Sequence, residues 1–203
     1  MSEPKKTRGR PSSFNRADVI QQIMPLFWER GYHDISFNEI SQETGLTRAS
    51  LYNAFGTKES LFLEVLDAYF QEAPDHLLRE VKEESCVGET LLAVLNNAAH
   101  MYSRDPKKRG CLSVNCMNEL MGGDDALNLK VNTLYQGYKT RLKALIEQAI
   151  RQEELPKDTD SETTANMIFT FMNGLSVFSK SDSSEIQMNN MAQTFLKNLG
   201  FNL

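Results

Sequence analysis

With 203 residues, 40% of them hydrophobic and 24% charged, the chain has enough apolar matter for one large domain or two small ones, and none of the bias of a disordered, collagenous or disulfide-dense sequence. No apolar run approaches the roughly 20 residues that a bilayer span needs, and the N-terminus lacks the apolar stretch of a secretory signal, so the expected location is the cytoplasm with no membrane partner. The formal charge of −5 is unevenly shared: residues 1–58 carry eight basic and six acidic side chains, the remainder 14 and 21, which sets a weakly basic head on an acidic body.

The head begins with a cationic arm, residues 1–13. Between Lys5 and Arg16 stand five basic side chains and no acid, a cluster suited to an anionic partner. Arg8-Gly9-Arg10-Pro11 matches the core of an AT-hook, in which two arginines enter a narrow A·T-rich minor groove and glycine permits close approach. A solubilising tail is the alternative reading of the same four residues.

Next comes a run of helical punctuation. Val19, Ile20, Ile23 and Phe27 recur at helical spacing after Asn15, an N-cap candidate with Asp18 in the capping-box position, and Gly31 is the expected stop. Pro25 lacks a backbone donor, which predicts a kink or a later effective start. Ser36 to Glu39 is a Ser-x-x-Glu capping box opening a helix that buries Ile40 and ends at Gly45. A second helix begins at Thr47, buries Leu51 and Phe55 and stops at Gly56; a third begins at Thr57 and runs to about Pro74. Helix, short turn containing glycine, helix is the helix-turn-helix rhythm.

Beyond Pro74 every pattern stays helical. Leu91, Leu92, Leu95 and Ala99 share one face, and Leu127, Val131, Leu134, Tyr138, Leu142, Leu145 and Ala149 run for six turns. Two more helices are predicted over about 160–179 and 184–198. Breaks fall at 103–110, 121–125, 154–160 and 179–184, and no stretch alternates as a strand would. The predicted fold is all-α, with a three-helix N-terminal domain over 14–62 and a helical bundle over 63–203.

From Gly31 to Phe62 the sequence resembles the DNA-binding domain of the TetR/AcrR family of bacterial one-component regulators. The resemblance rests on Gly31-Tyr32, Ser36, Ile40, the Gly45-Leu46-Thr47 turn, Leu51-Tyr52, Phe55, and Lys58-Glu59 before Leu61. It implies a homodimeric transcriptional regulator, most simply a repressor, on a palindromic double-stranded operator, with a sensing and dimerising C-terminal domain and no catalytic role. Thr47 to Asn53 then becomes the recognition helix. Arg48 can bond a guanine edge bidentately, and Thr47 and Ser50 can reach bases or phosphates through short hydroxyls. Tyr52 and Lys58 are expected on phosphates, and Ser36 and Asn53 complete the expected contact set.

The body must supply an input. Met101, Met117 and Met172, with Tyr138 and Phe169, suit a cavity for a small apolar ligand, although the same residues would serve as core packing. The last two helices resemble the pair that forms the family's four-helix dimer interface, which nominates Ile168, Phe169, Met172, Met188, Met191 and Phe195; their stripes could equally be core. Arg109 to Cys116, "RGCLSVNC", is similar to a segment at the start of the sixth helix in one branch of the family, where some members respond to electrophiles or oxidants through this cysteine. Cys111 is therefore a second candidate input, with Lys107, Lys108 and Arg109 before it, against the reading of a small packing residue.

Other function classes leave weaker traces. Cys86, Cys111 and Cys116 form neither a CxxC nor a metal-ligand pattern, and their odd number fits reduced thiols. His33, His76 and His100 belong to no metal or triad motif, so an enzyme would have to pair Cys111 with His100 without a local signature. The sequence calls for no cofactor or metal. A non-specific architectural DNA binder is the remaining alternative.

Overall fold

A computed structural model of the chain describes residues 14–123, 125–181 and 183–203; Arg8 and Arg10 lie outside them. Among the described residues the secondary structure is entirely helical: α1 (Arg16–Arg30), α2 (Phe37–Thr44), α3 (Arg48–Phe55), α4 (Lys58–Glu72), a 3-10 turn (Pro74–Arg79), α5 (Val87–Arg104), α6 (Leu112–Leu120), α7 (Ala126–Arg151), α8 (Ser161–Phe178) and α9 (Glu185–Asn198). None of these helices is long and apolar enough to cross a membrane. Two compact units divide between Val65 and Leu66, within α4.

The first unit is a small three-helix core closed by the start of α4. Asn15 caps α1 by accepting the Ala17 amide at 3.0 Å, so the helix starts at Arg16 and the later start expected from Pro25 does not occur. Pro25 lies inside α1, flanked by buried Met24 and Phe27. Burial on both sides of the proline offsets the missing backbone bond, a cost of about 3 kcal/mol. Ile23, Phe27, Ile40, Leu51 and Leu61 lose all exposure, and the Phe27 and Phe62 rings meet at 4.9 Å. Each such side chain contributes about 1.5–3 kcal/mol on burial.

The caps read from the sequence are present. Ser36 accepts the Glu39 amide at 3.3 Å while the Glu39 carboxylate accepts the Ser36 amide at 2.9 Å. The Ser36 backbone amide first, then Arg30 and the Ser36 hydroxyl, hold the Glu39 carboxyl down at about 2. This cap is therefore complete above the ordinary carboxylate range and is lost as pH falls toward 2. Gly45 ends α2 in the left-handed region at φ 68°, which a side chain rarely adopts, and so turns the chain into Thr47.

The second unit surrounds α5, which packs against α9, α7, α8 and the 3-10 turn, while α7 lies along α8 and α6. Leu91, Val94, Leu95 and Ala99 of α5 are buried, as are Ile168 and Leu175 of α8 and Met188, Ala192 and Leu196 of α9, the helices against which α5 packs. On α7 the structure departs from the predicted stripe: Leu134 is 46% exposed and Tyr135 takes the inward position, because a stripe over 26 residues drifts around a helix of 3.6 residues per turn.

Candidate DNA-binding surface and effector cavity

Leu51 and Phe55 fix the inner side of α3, which leaves Arg48, Ala49, Tyr52 and Asn53 on its exposed side, paired at i,i+4 as Arg48 with Tyr52 and Ala49 with Asn53. Thr47 caps the helix through the Ser50 amide at 3.2 Å, and its hydroxyl lies 2.9 Å from that of Ser50. Arg48 has no hydrogen bond or ion pair among the described residues, so its full fork of donors faces outward. The Tyr52 ring, 53% exposed, stacks on Phe37 with centroids 4.4 Å apart and planes 18° from parallel. Ser36 stands beside Phe37, its hydroxyl committed to the α2 cap.

Two cations that the sequence offers to a polyanion are employed within the domain instead. Arg16 donates to the Ala54 carbonyl and to the Glu64 carboxylate, and its guanidinium carbon stands 4.3 Å over the Phe55 ring. Lys58 turns inward: its Nζ donates to the carbonyls of Tyr32 at 3.0 Å and Ile35 at 2.9 Å, and lies 4.1 Å over the Tyr32 ring. The geometry makes Lys58 a clamp on the α1–α2 connection, which ties the side chain expected on a phosphate to the folding of the domain. Lys58→Met should lower unfolding stability by about 1.5–3 kcal/mol, the value of bonds to a charged donor. Urea titration checks this, and an unchanged midpoint with weakened DNA binding would return Lys58 to the phosphate set.

In the second unit a cavity of about 240 Å³ opens among α4, the 3-10 turn and helices α5 to α8. Four of the expected effector residues line it: Cys111, Tyr138, Phe169 and Met172. Met101 and Met117 do not. Met101 is rotated about 100° from Tyr102, whose ring does face the cavity, and Met117 lies a turn beyond Val114, the last lining residue of α6. Sequence reasoning missed Tyr69, Tyr102, Tyr135 and Asp75, which line the same space.

Cys111 is the N-cap residue of α6 and is 9% exposed. Gly110, at φ 69°, lets the chain pass so close to α8 that an added Cβ would stand 2.8 Å from the Ser176 carbonyl oxygen; the Cys111 amide donates to Ser176 Oγ at 2.9 Å. Two hydroxyls stand at the sulfur: Tyr69 donates to Sγ at 3.2 Å, and Ser113 Oγ lies at 3.1 Å, where either atom can donate. Burial pushes the Tyr69 and Tyr102 phenols far up, with the nearby Cys111 adding to it, so both remain protonated donors. Of the three bases that precede Cys111, Arg109 is locked on Asp105 through bonds of 3.0 and 3.1 Å. Cys116 is buried and pushed up to about 12 by desolvation. The Cys111–His100 couple of the enzymatic alternative is not assembled: the His100 ring pairs with Glu185 at 3.1 Å on the surface. No group of three His, Cys, Asp or Glu side chains among the described residues could hold a metal ion.

The proposed dimer residues divide three ways. Ile168 and Met188 have no exposure and belong to the core of their own unit, a correction that follows from α8 and α9 each turning an apolar side inward. Phe169 and Met172 face the cavity. Met191 and Phe195 remain half-buried, with Phe195 stacked on Phe171 at 4.1 Å and 4°. The outer apolar positions are instead Met167 at 45% and Val177 at 53% exposure, on the same side of α8 as Phe171 and Gly174.

An outward recognition helix on a capped three-helix core, followed by a separate helical unit with a cavity, defines a helix-turn-helix DNA-binding transcriptional regulator. Residues 19–65 match the family described as bacterial regulatory proteins, tetR family, and residues 88–195 match the tetracyclin repressor-like C-terminal domain. The chain belongs to the TetR family. The HTH-type transcriptional repressor ComR of Escherichia coli (strain K12) is 29% identical over 196 residues, 95% of this chain and 92% of the relative. BdcR, an HTH-type transcriptional repressor from the same strain, is 35% identical over 104 residues, 51% of this chain and 53% of the relative. Among solved structures, a cysteine mutant of the TetR family regulator CifR in complex with a 26 bp double-stranded operator DNA matches with a TM-score of 0.79 at 26% identity, covering 94% of this chain and all of the other.

Proposed function

We propose that the protein is a repressor that holds a two-fold symmetric operator as a homodimer and releases it when the cavity of its second unit is occupied or when Cys111 is modified. The observation that carries the DNA reading is the outer side of α3, where Arg48, Tyr52 and Asn53 are exposed and Arg48 is unspent. Repressor is the description of both ComR and BdcR, and CifR is solved on operator DNA. A helix of eight residues is roughly 12 Å long and reads only a few base pairs, so specificity calls for two copies with half-sites about one helical turn apart. Met167, Phe171, Val177, Met191 and Phe195 supply an outward apolar face for that pairing. Arg8 and Arg10 extend the footprint into a neighbouring minor groove. Selection from a pool of random duplexes tests the reading: enriched sequences should be inverted repeats, and a pool that stays random would point to the architectural alternative.

Cys111 offers a covalent input, because it lines the cavity, whereas Cys116 does not and is held as a thiol by burial. In a Cys86→Ser background, which removes the exposed thiol, treatment with N-ethylmaleimide should modify Cys111 first and abolish operator binding. Adding Cys111→Ser should preserve binding under the same treatment. Release of that variant as readily as the parent would make the cysteine a packing residue and leave a non-covalent ligand as the input.

A further inference from the structure

One aromatic pair of the first unit lies on its outer surface, where it fills no core. Tyr52 of α3 is 53% exposed and Phe37, the first residue of α2, is half-buried, yet their rings stack with centroids 4.4 Å apart and planes 18° from parallel. The Tyr52 hydroxyl has no hydrogen-bond partner among the described residues, so the stack holds the ring and leaves its polar end unspent. Tyr52 stands one turn from Arg48, on the side of α3 away from buried Leu51 and Phe55. Phe37 is itself held in place. Ser36 and Glu39 close the capping box at the start of α2, and Arg30 of α1 grips the Glu39 carboxylate at 2.7 Å. The platform under Tyr52 is therefore fixed by α1 and α2, independently of α3.

We propose that Phe37 is a positioning residue for DNA binding: its ring fixes the Tyr52 phenol in the orientation that meets a DNA phosphate. The inference deepens, and rests on, the reading of α3 as the recognition helix. An exposed tyrosine on a helix has more than one χ1 well open to it, and stacking on Phe37 selects one of them. Ordering a side chain at an interface costs affinity, so a ring already stacked in the free protein reaches the phosphate with that cost removed from binding. An aliphatic side chain at this position would keep an apolar contact but offer no ring face to stack on. The Ser36 hydroxyl is committed to the α2 cap, so the start of α2 acts on DNA through its second residue and not through its first.

A double-mutant cycle tests this: the full chain as wild type, Tyr52→Phe, Phe37→Leu and the double variant, each titrated on the selected operator and on a random duplex, since a phosphate contact acts on both. In the wild-type background, removing the hydroxyl should weaken binding at least about threefold. Phe37→Leu should weaken it roughly two- to tenfold on both duplexes, the cost of ordering one side chain. In the Phe37→Leu background the hydroxyl should then matter by less than about twofold, the scatter of independent sites. Phe37→Trp keeps a ring face and should retain the full hydroxyl effect. Because the hydroxyl effect is compared within one background, a general loss of folding cancels from it. A hydroxyl effect as large with Phe37→Leu as in wild type, one lost equally with Phe37→Trp, a Phe37→Leu protein that binds like wild type, or a Phe37→Leu loss confined to the operator would each overturn the proposal. Tyr52→Phe binding like wild type on both duplexes would instead remove the phosphate contact itself, and the role of Phe37 with it.

Discussion

Arg48→Ala should weaken binding to the cognate duplex by about 1–3 kcal/mol per half-site and relax the base preference at one position in each half, because the exposed fork can form two parallel bonds to a guanine edge and has no other employment in the fold. Titrations on the selected operator and on operators changed at single positions measure both effects. A loss that is equal on cognate and random DNA would assign Arg48 to the phosphates. Tyr52→Phe, by contrast, keeps the stack on Phe37 and removes only the hydroxyl, so its effect should be sequence-independent.

The second large effect is expected on the outer face of α8. Val177→Arg places a charge on a side chain that is 53% exposed in the single chain and that would be enclosed in the proposed dimer. The variant should sediment as a monomer with its helical content unchanged, and its operator affinity should fall by at least about a hundredfold, since a single copy retains only half of the contacts. Ile168→Val is the control: it lies in the core of its own unit, so it should cost about 0.5–1.5 kcal/mol in folding and leave the association unchanged. A Val177→Arg protein that remains dimeric would move the interface elsewhere.

The legible parts of this molecule are those in which a local rule acts alone. Ser36 with Glu39, Thr47 with Ser50, and Gly45 at positive φ are signatures of helix ends, and their hydrogen bonds stand as the sequence implied. The outward setting of Arg48, Tyr52 and Asn53 follows from the i,i+4 pair Leu51 and Phe55, which buries one side of the helix and leaves the other to solvent. Long-range partners were beyond that logic. Nothing near Lys58 in sequence announces the carbonyls of Tyr32 and Ile35, and nothing near Arg16 announces Glu64, so both cations read as surface charge. Periodicity also fails where a helix is apolar on several sides: in α8, Ile168 faces the core, Phe169 the cavity and Met167 the solvent, three consecutive residues with three destinations. Asp75 sits in a short turn after Pro74, where no stripe marks it, and the rings around it come from distant helices.

The central claim, that α3 gives this regulator sequence-specific hold on a two-fold operator, is tested most directly by measuring affinity and stoichiometry together on one duplex. The wild-type chain should bind its selected inverted repeat with two chains per duplex, about a thousandfold or more tightly than a scrambled duplex of the same length at physiological salt. One chain per duplex, or equal affinity for the repeat and the scrambled sequence, would contradict it.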